Sequence, residues 1–144
     1  MSVVKHKIIE EIALIEISNP PVNAISAEVR IGLLETIENL SLNEKIKAIV
    51  ITAPERTFLA GADIKEFGKK VDAPILGKIC EKIESLNKIV VASLHGTPLG
   101  GGLEVAMSAH YRIAAPNTKV GLPEVLLGIL PGAGGTQRLP RLCG

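Results

Sequence analysis

The spacing of apolar residues along this chain switches repeatedly between the periods of a strand and of a helix. From Ile8 to Ile17 apolar residues dominate, with Ile12, Leu14, Ile15 and Ile17 distributed over the two faces of an extended chain until Asn19-Pro20-Pro21 stops the run. That reads as a first strand. Ser26 is placed to cap a helix, because Val29, Leu33, Leu34, Ile37 and Leu40 then recur at helical spacing while Glu28, Arg30, Glu35 and Glu38 point elsewhere. The β-branched run Ala48-Ile49-Val50-Ile51-Thr52 predicts a second strand buried on both faces, followed by a loop from Glu55 to Ala62. A helix is expected over Lys78 to Leu86 through Ile79, Ile83 and Leu86, and a strand over Ile89 to Leu94. Gly100-Gly101-Gly102 then opens a helical stretch from Leu103 to Ser108, with a strand at Tyr111 to Ala115. Alternation of this kind predicts an α/β domain.

Composition narrows the picture without naming a function. At 144 residues, 47% of them hydrophobic and 22% charged, the chain suits one globular domain, taken here to run over 1–144. Tyr111, Phe58 and Phe67 are its only aromatics, so platforms for stacking nucleobases are nearly lacking. The net charge of +1 comes from interspersed Lys and Glu, with no basic block to neutralise a phosphate backbone, and no nucleic-acid partner is expected. Cys80 and Cys143 form no CxxC and no apolar leader precedes them, which points to a reducing compartment. Every long apolar run is broken before membrane-spanning length, so no membrane span is expected.

Two glycine-rich stretches invite a nucleotide-binding reading and fail it. In Gly132-Ala133-Gly134-Gly135-Thr136-Gln137 the third required glycine is Gln137, and in Gly100-Gly101-Gly102-Leu103-Glu104-Val105 it is Val105. No GxxxxGK[ST] loop occurs. His6, His95 and His110 are dispersed and there is no HExxH, so no metal site is expected. His95, after an apolar strand, reads as a hydrogen-bonded structural imidazole and is left out of the site.

Three other segments carry chemistry. Phe58-Leu59-Ala60-Gly61-Ala62-Asp63-Ile64-Lys65-Glu66 sets small residues where a ligand can reach the backbone N–H groups; it is equally a glycine turn with Asp63 near a helix start. In Leu99-Gly100-Gly101-Gly102-Leu103-Glu104 three successive glycines leave donors bare at a helix start, suited to an oxyanion. Close packing of helix on strand explains one of those glycines comfortably and three less well. Glu104 and Glu124 are too far apart in sequence for one helical turn to pair them, and each alone reads as a solvated surface glutamate.

Taken together, Leu59-Ala60-Gly61-Ala62-Asp63-Ile64-Lys65, Leu99 through Glu104, and Gly121-Leu122-Pro123-Glu124 through Pro131 to Leu139 occur in the order shown by enoyl-CoA hydratases. The chain resembles the crotonase family over nearly its whole length. Asn19-Pro20-Pro21-Val22-Asn23-Ala24 and His95-Gly96-Thr97-Pro98-Leu99 look closest to the amino-terminal hydratase part of multifunctional fatty-acid oxidation enzymes.

The resemblance implies an α/β fold of strand-strand-helix units wound into a superhelix, with carboxy-terminal helices that close the acyl pocket lying beyond Gly144. It implies hydration of trans-2-enoyl-CoA to 3-hydroxyacyl-CoA, with acyl-CoA as substrate and no cofactor. Ala62 and Gly101 match the backbone N–H groups that stabilise a thioester enolate. Glu104 and Glu124 match the two catalytic glutamates, Glu104 orienting and deprotonating water and Glu124 exchanging the proton at Cα. Ala60, Asp63 and Ile64 resemble backbone contacts to the CoA adenine, Gly132 lends an N–H near the water, and Lys65 reaches towards a CoA phosphate or solvent. Retention of both glutamates favours hydratase over Δ3,Δ2-enoyl-CoA isomerase; a non-catalytic fragment of the fold is the third reading. Partners implied are a homo-oligomer or a dehydrogenase domain, and the compartment is cytoplasm in a bacterium, peroxisome or mitochondrion in a eukaryote.

Overall fold

A computed structural model describes residues 2–144. Five strands, β1 (Val4–Ile9), β2 (Ile12–Ile17), β3 (Ala48–Thr52), β4 (Ile89–Leu94) and β5 (Tyr111–Ala114), form one sheet in chain order. The β1–β2 pair is antiparallel and the remaining pairs are parallel. The single strand expected over Ile8 to Ile17 is therefore a hairpin, closed at Glu10-Glu11 with Ile9 opposite Ile12. Glu10 takes a left-handed φ of 55°, a conformation that Gly or Asn normally advertises, so the turn carries no chemical mark in the sequence.

Four helices accompany the sheet: α1 (Ala27–Leu42), α2 (Leu76–Glu84), α3 (Gly101–Ser108) and α4 (Gly135–Cys143). Ser26 caps α1 by accepting from the Val29 N–H, and Val29, Leu33, Ile37 and Leu40 form its buried face as their spacing requires. Helix α2 begins and ends two residues before the expected bounds, and α3 begins at Gly101 rather than Leu103. Helix α4 has no counterpart in the expected elements, since Gly134-Gly135 at its start and Pro140 within it mask a helical pattern.

Ala13, Ile15, Ile17, Ile49, Ile51, Val90, Ala92 and Leu94 lie on the sheet face that joins the buried sides of α1, α2 and α3 in one aliphatic cluster. Each fully buried Ile or Leu there removes from water a side chain worth about 1.5–3 kcal/mol. The opposite face is only half-covered: in β3, Ile49 and Ile51 are buried while Ala48, Val50 and Thr52 are partly exposed. The expectation that β3 is buried on both faces is thus corrected to burial on one, with the period of two that one covered face imposes.

Beyond the carboxyl ends of the parallel strands the chain pairs a second time. Ile25 bridges Ala62, Leu99 bridges Gly121, Ala60 N–H donates to Asn23 O, and Leu99 N–H donates to Leu59 O. Each turn of the chain thus runs strand, short second extended segment, helix, which is the strand-strand-helix unit of the expected superhelix. Strand order never reverses, so the fold offers no switch-point crevice of the dinucleotide-binding kind. What it gathers at the carboxyl edge of the sheet is the second ladder.

Candidate active site

Ala62 is positioned by its neighbours. Ile25 N–H donates to Gly61 O at 2.8 Å and Asp63 N–H donates to Ile25 O at 3.2 Å, so residues 61 and 63 face the ladder and the N–H of Ala62 faces away from it. Gly101 stands on that other side: a Cβ built on it would lie 3.6 Å from the Ala62 nitrogen. As the first residue of α3, Gly101 carries one of the amide groups that a helix cannot satisfy internally. Among the described residues neither the Ala62 nor the Gly101 N–H finds a protein acceptor.

The three glycines serve three different needs. Gly100 turns the chain into α3 at a φ of 51° while its N–H donates to Gly121 O at 2.9 Å. Gly101 leaves its N–H uncovered beside Ala62. Gly102 lets α3 lie against the second ladder, where a Cβ would meet Leu59 O at 2.1 Å. The two readings left open by sequence, bare donors and close packing, are both present, on adjacent residues.

Glu104 lies three residues after Gly101, on the same side of α3. It is almost fully buried, and its Oε1 accepts from Ala133 N–H and Gly135 N–H, each at 2.8 Å. Gly135 is confined by that contact, since a Cβ there would stand 2.9 Å from the same oxygen. Glu124 opens a 3-10 turn, Glu124–Leu127, on the segment following β5. It too is buried, but its Oε2 has no hydrogen-bond partner among the described residues. The surface reading that each glutamate invites alone is overturned for both by tertiary packing.

A cavity of about 230 Å³ is lined by Ala62, Gly101, Glu104, Glu124, Gly132 and the apolar residues Leu76 and Ile129. A smaller one of about 140 Å³ shares Ala62, Gly101, Glu124 and Ile129 with it and adds Ala60 and Ile64. Two donors and two carboxyl groups thus face one apolar-walled space, an arrangement able to hold a carbonyl oxygen and move protons beside it.

The expected binding residues are not gathered equally. Gly132 joins the glutamates, with an N–H that has no acceptor among the described residues, while Ala60 and Ile64 sit in the adjoining space. Asp63 lies instead along a neighbouring groove with Arg30 and Pro74, and its carboxylate caps the 3-10 turn Ile64–Glu66 by accepting from Lys65 N–H at 3.0 Å. The Lys65 side chain is exposed. His95 bonds Glu55 O through Nε2 at 2.7 Å, and among the described residues no group of three His, Cys, Asp or Glu side chains is placed to hold a metal.

Three supports escaped the sequence reading. Asn23, wholly buried, donates to the carbonyls of Ile17, Thr57 and Phe58, tying the start of the second ladder to the end of β2 and to the loop that follows β3. Arg30 pairs with Glu66 at 2.9 Å and donates to Pro74 O, while Glu66 accepts from Ala27 N–H, fastening the Ala62 loop to the start of α1. Arg138 joins Glu84 and the Ala133 carbonyl. Paired charges at unrelated positions leave no periodic signal, and only Asn23, within the Asn19–Ala24 segment that carries part of the resemblance, had any mark.

A family model described as Enoyl-CoA hydratase/isomerase matches residues 7–144. The chain belongs to that family. It is 50% identical over 133 residues to the peroxisomal bifunctional enzyme of Danio rerio, a match covering 92% of this chain and 18% of that protein. It is 44% identical over 140 residues to a probable enoyl-CoA hydratase of Bacillus subtilis (strain 168), covering 92% of this chain and 54% of the relative. The solved enoyl-CoA hydratase of Thermoplasma volcanium GSS1 superposes with a TM-score of 0.90 at 34% identity over 100% of this chain and 60% of that one. The crotonase fold is therefore that of this chain, which spans about half or less of the length of these curated relatives.

Proposed function

We propose that this enoyl-CoA hydratase/isomerase family chain adds water across the 2,3-double bond of a trans-2-enoyl-CoA, giving 3-hydroxyacyl-CoA in fatty-acid β-oxidation. The observation that carries the reading is the meeting of the unengaged Ala62 and Gly101 N–H groups with Glu104 and Glu124 around one cavity. The thioester oxygen accepts from both N–H groups, which lowers the energy of the enolate as charge collects there; loss of one such donor typically costs about a hundredfold in rate.

Glu104, held rigidly through Oε1, orients a water and takes one proton as its oxygen bonds C3. Glu124 delivers a proton to C2 and is reprotonated by the proton that Glu104 took from the water, so one molecule of water is added and nothing is oxidised or reduced. No cofactor enters this scheme. Ala60, Ile64 and Asp63 offer backbone contacts for the CoA adenine, and Gly132 an N–H for the water. The bacterial and peroxisomal relatives support a cytoplasmic or peroxisomal setting, with a dehydrogenase domain or further copies of the chain as partners.

The unpartnered Glu124 Oε2 also suits a 1,3-proton shift, the isomerase reading. Incubating crotonyl-CoA and a 3-enoyl-CoA separately with the purified chain separates the two. Loss of the conjugated enoyl-thioester absorbance from crotonyl-CoA supports hydration; its appearance from the 3-enoyl substrate alone overturns hydration in favour of isomerisation.

A further inference from the structure

Glu104 is fixed by a turn, not by another side chain. The Ala133 and Gly135 amides that grip its Oε1 belong to the Pro131–Gly135 stretch that leads into the first residue of α4, one proline, three glycines and one alanine, of which only Ala133 is a buried apolar anchor. Such a segment does not hold two donors in register by itself, because glycine loses more backbone freedom on ordering than any other residue. Something must hold the turn.

Arg138 does this from inside α4. Its Nη1 donates to Ala133 O at 2.8 Å, while Nε and Nη2 donate to the two carboxylate oxygens of Glu84 on α2 at 3.2 and 2.8 Å. The guanidinium is thereby engaged on both edges, with its side chain mostly covered. Gly134, at a φ of 93°, leaves room for it: a Cβ there would lie 2.3 Å from Nη1. The partners reinforce each other, hydrogen bonding holding Glu84 below the usual carboxylate range and Arg138 above its own. One residue of the peptide chain, Ala133, then links the two networks, its carbonyl bound by Arg138 and its N–H bound to Glu104.

We propose that Arg138, braced by Glu84, is a positioning residue that sets the orientation of the Glu104 carboxylate by clamping the Ala133–Gly135 turn. Its consequence for rate rests on the hydratase reading; its consequence for the turn does not. A lysine carries its donors on one nitrogen and lacks the planar fork, so it cannot reproduce the engagement of three separate guanidinium nitrogens with Glu84 and Ala133 O. Arg138 does not line the cavity shared by Glu104 and Glu124, so it acts on kcat through Glu104 and leaves substrate affinity alone.

The test compares R138M, R138K and E84Q by amide hydrogen exchange and by crotonyl-CoA hydration, with R138M also placed on an E104Q background. In R138M the Ala133 and Gly135 amides should exchange about tenfold faster or more while those of Ile51 and Val90 hold their rates. The kcat should fall about tenfold or more with KM within about twofold, R138K should recover part of the loss, and on E104Q the same substitution should change the residual rate less than about twofold. A uniform acceleration across all four amides, or equal loss of rate on both backgrounds, overturns the proposal. Should R138M not fold, E84Q alters only a half-exposed side chain and should still speed exchange selectively at Ala133 and Gly135; unchanged exchange there sinks the clamp. Selective acceleration in R138M, together with no turnover by the wild-type protein, supports the clamp and defeats the hydratase reading.

Discussion

Glu104 and Glu124 line the same cavity, yet their surroundings differ in almost every respect. Glu104 grows from α3, whose eight residues are all buried, and one of its oxygens is bound by two amides. Glu124 grows from a short 3-10 turn with one buried oxygen unpartnered, and the residues after it, Val125, Leu126, Leu127 and Leu130, turn apolar side chains to solvent. A carboxyl group held by two N–H donors is fixed in direction and suits the steering of a water. One whose oxygen is buried without a partner is not tied to a protein group and is free to exchange a proton with the substrate carbon. The pairing of a fixed and an unsatisfied group is what the proposed division of labour requires.

The sharpest way to break this comparison is to neutralise each group in turn. E104Q and E124Q should both lower kcat for crotonyl-CoA hydration by about a hundredfold or more, read from enoyl-thioester absorbance. Full activity in either variant removes that residue from the mechanism. Their stabilities should part company. E104Q puts a weaker acceptor in the two backbone N–H bonds and should cost about 1–2 kcal/mol, whereas E124Q disturbs an oxygen with no hydrogen bond to lose and should be close to neutral. Urea midpoints shifted equally for both would erase the contrast.

Steric disturbance tests the fixed side alone. Gly135→Ala drives a Cβ to 2.9 Å from Glu104 Oε1 and 3.0 Å from Leu122 and Pro131, so a loss of about 1–3 kcal/mol with a lower kcat is expected in urea melts and turnover assays. The difference in packing should also appear without mutation. Amides of Val125 to Leu130 should exchange about a hundredfold faster than those of Leu103 to Met107. Equal protection in native-state exchange would mean that the Glu124 side is as closed as the Glu104 side.

The mildest probe is thiol chemistry on the floor beneath Glu104. Cys80 on α2 is buried, and burial pushes its thiol up to about 12, with the nearby Arg138 opposing and Glu104 adding to the rise. The reactive thiolate is therefore almost unpopulated at pH 8. Iodoacetamide should label Cys143, which is exposed, and leave Cys80 unmodified until the chain is denatured, as mass spectrometry of native and unfolded samples will show. Rapid native labelling of Cys80 would reveal an opening on the side described as closed.

Much of the fold was legible in the chain because element type is a local property. Val29, Leu33, Ile37 and Leu40 mark one face of α1 whatever surrounds them, and Ser26 announces its start. The hairpin at Glu10-Glu11 was hidden because its turn lacks the residues that a left-handed φ favours, and α4 because glycines and Pro140 interrupt its pattern. Of the site, the residue types and their order were readable through family resemblance, and the bare donors of the glycine run through chemistry. That Asp63 stands at the start of a helical turn was one of the two readings its segment allowed; that it faces another groove was not readable, since that depends on the packing of α1 and the segment at Pro74.

The sequence by itself determined the periodicities, the aliphatic core, the failure of the nucleotide-binding spacings and the family. Only the tertiary structure decided that Glu104 and Glu124 share a cavity, that Ala62 and Gly101 turn their N–H groups to one side, and that Arg138 reaches the turn holding Glu104. Each of those depends on segments that leave different strands and meet at the carboxyl edge of the sheet. Hydrophobic spacing specifies which face of an element is buried; the register of the parallel strands and the second ladder specify what stands opposite it.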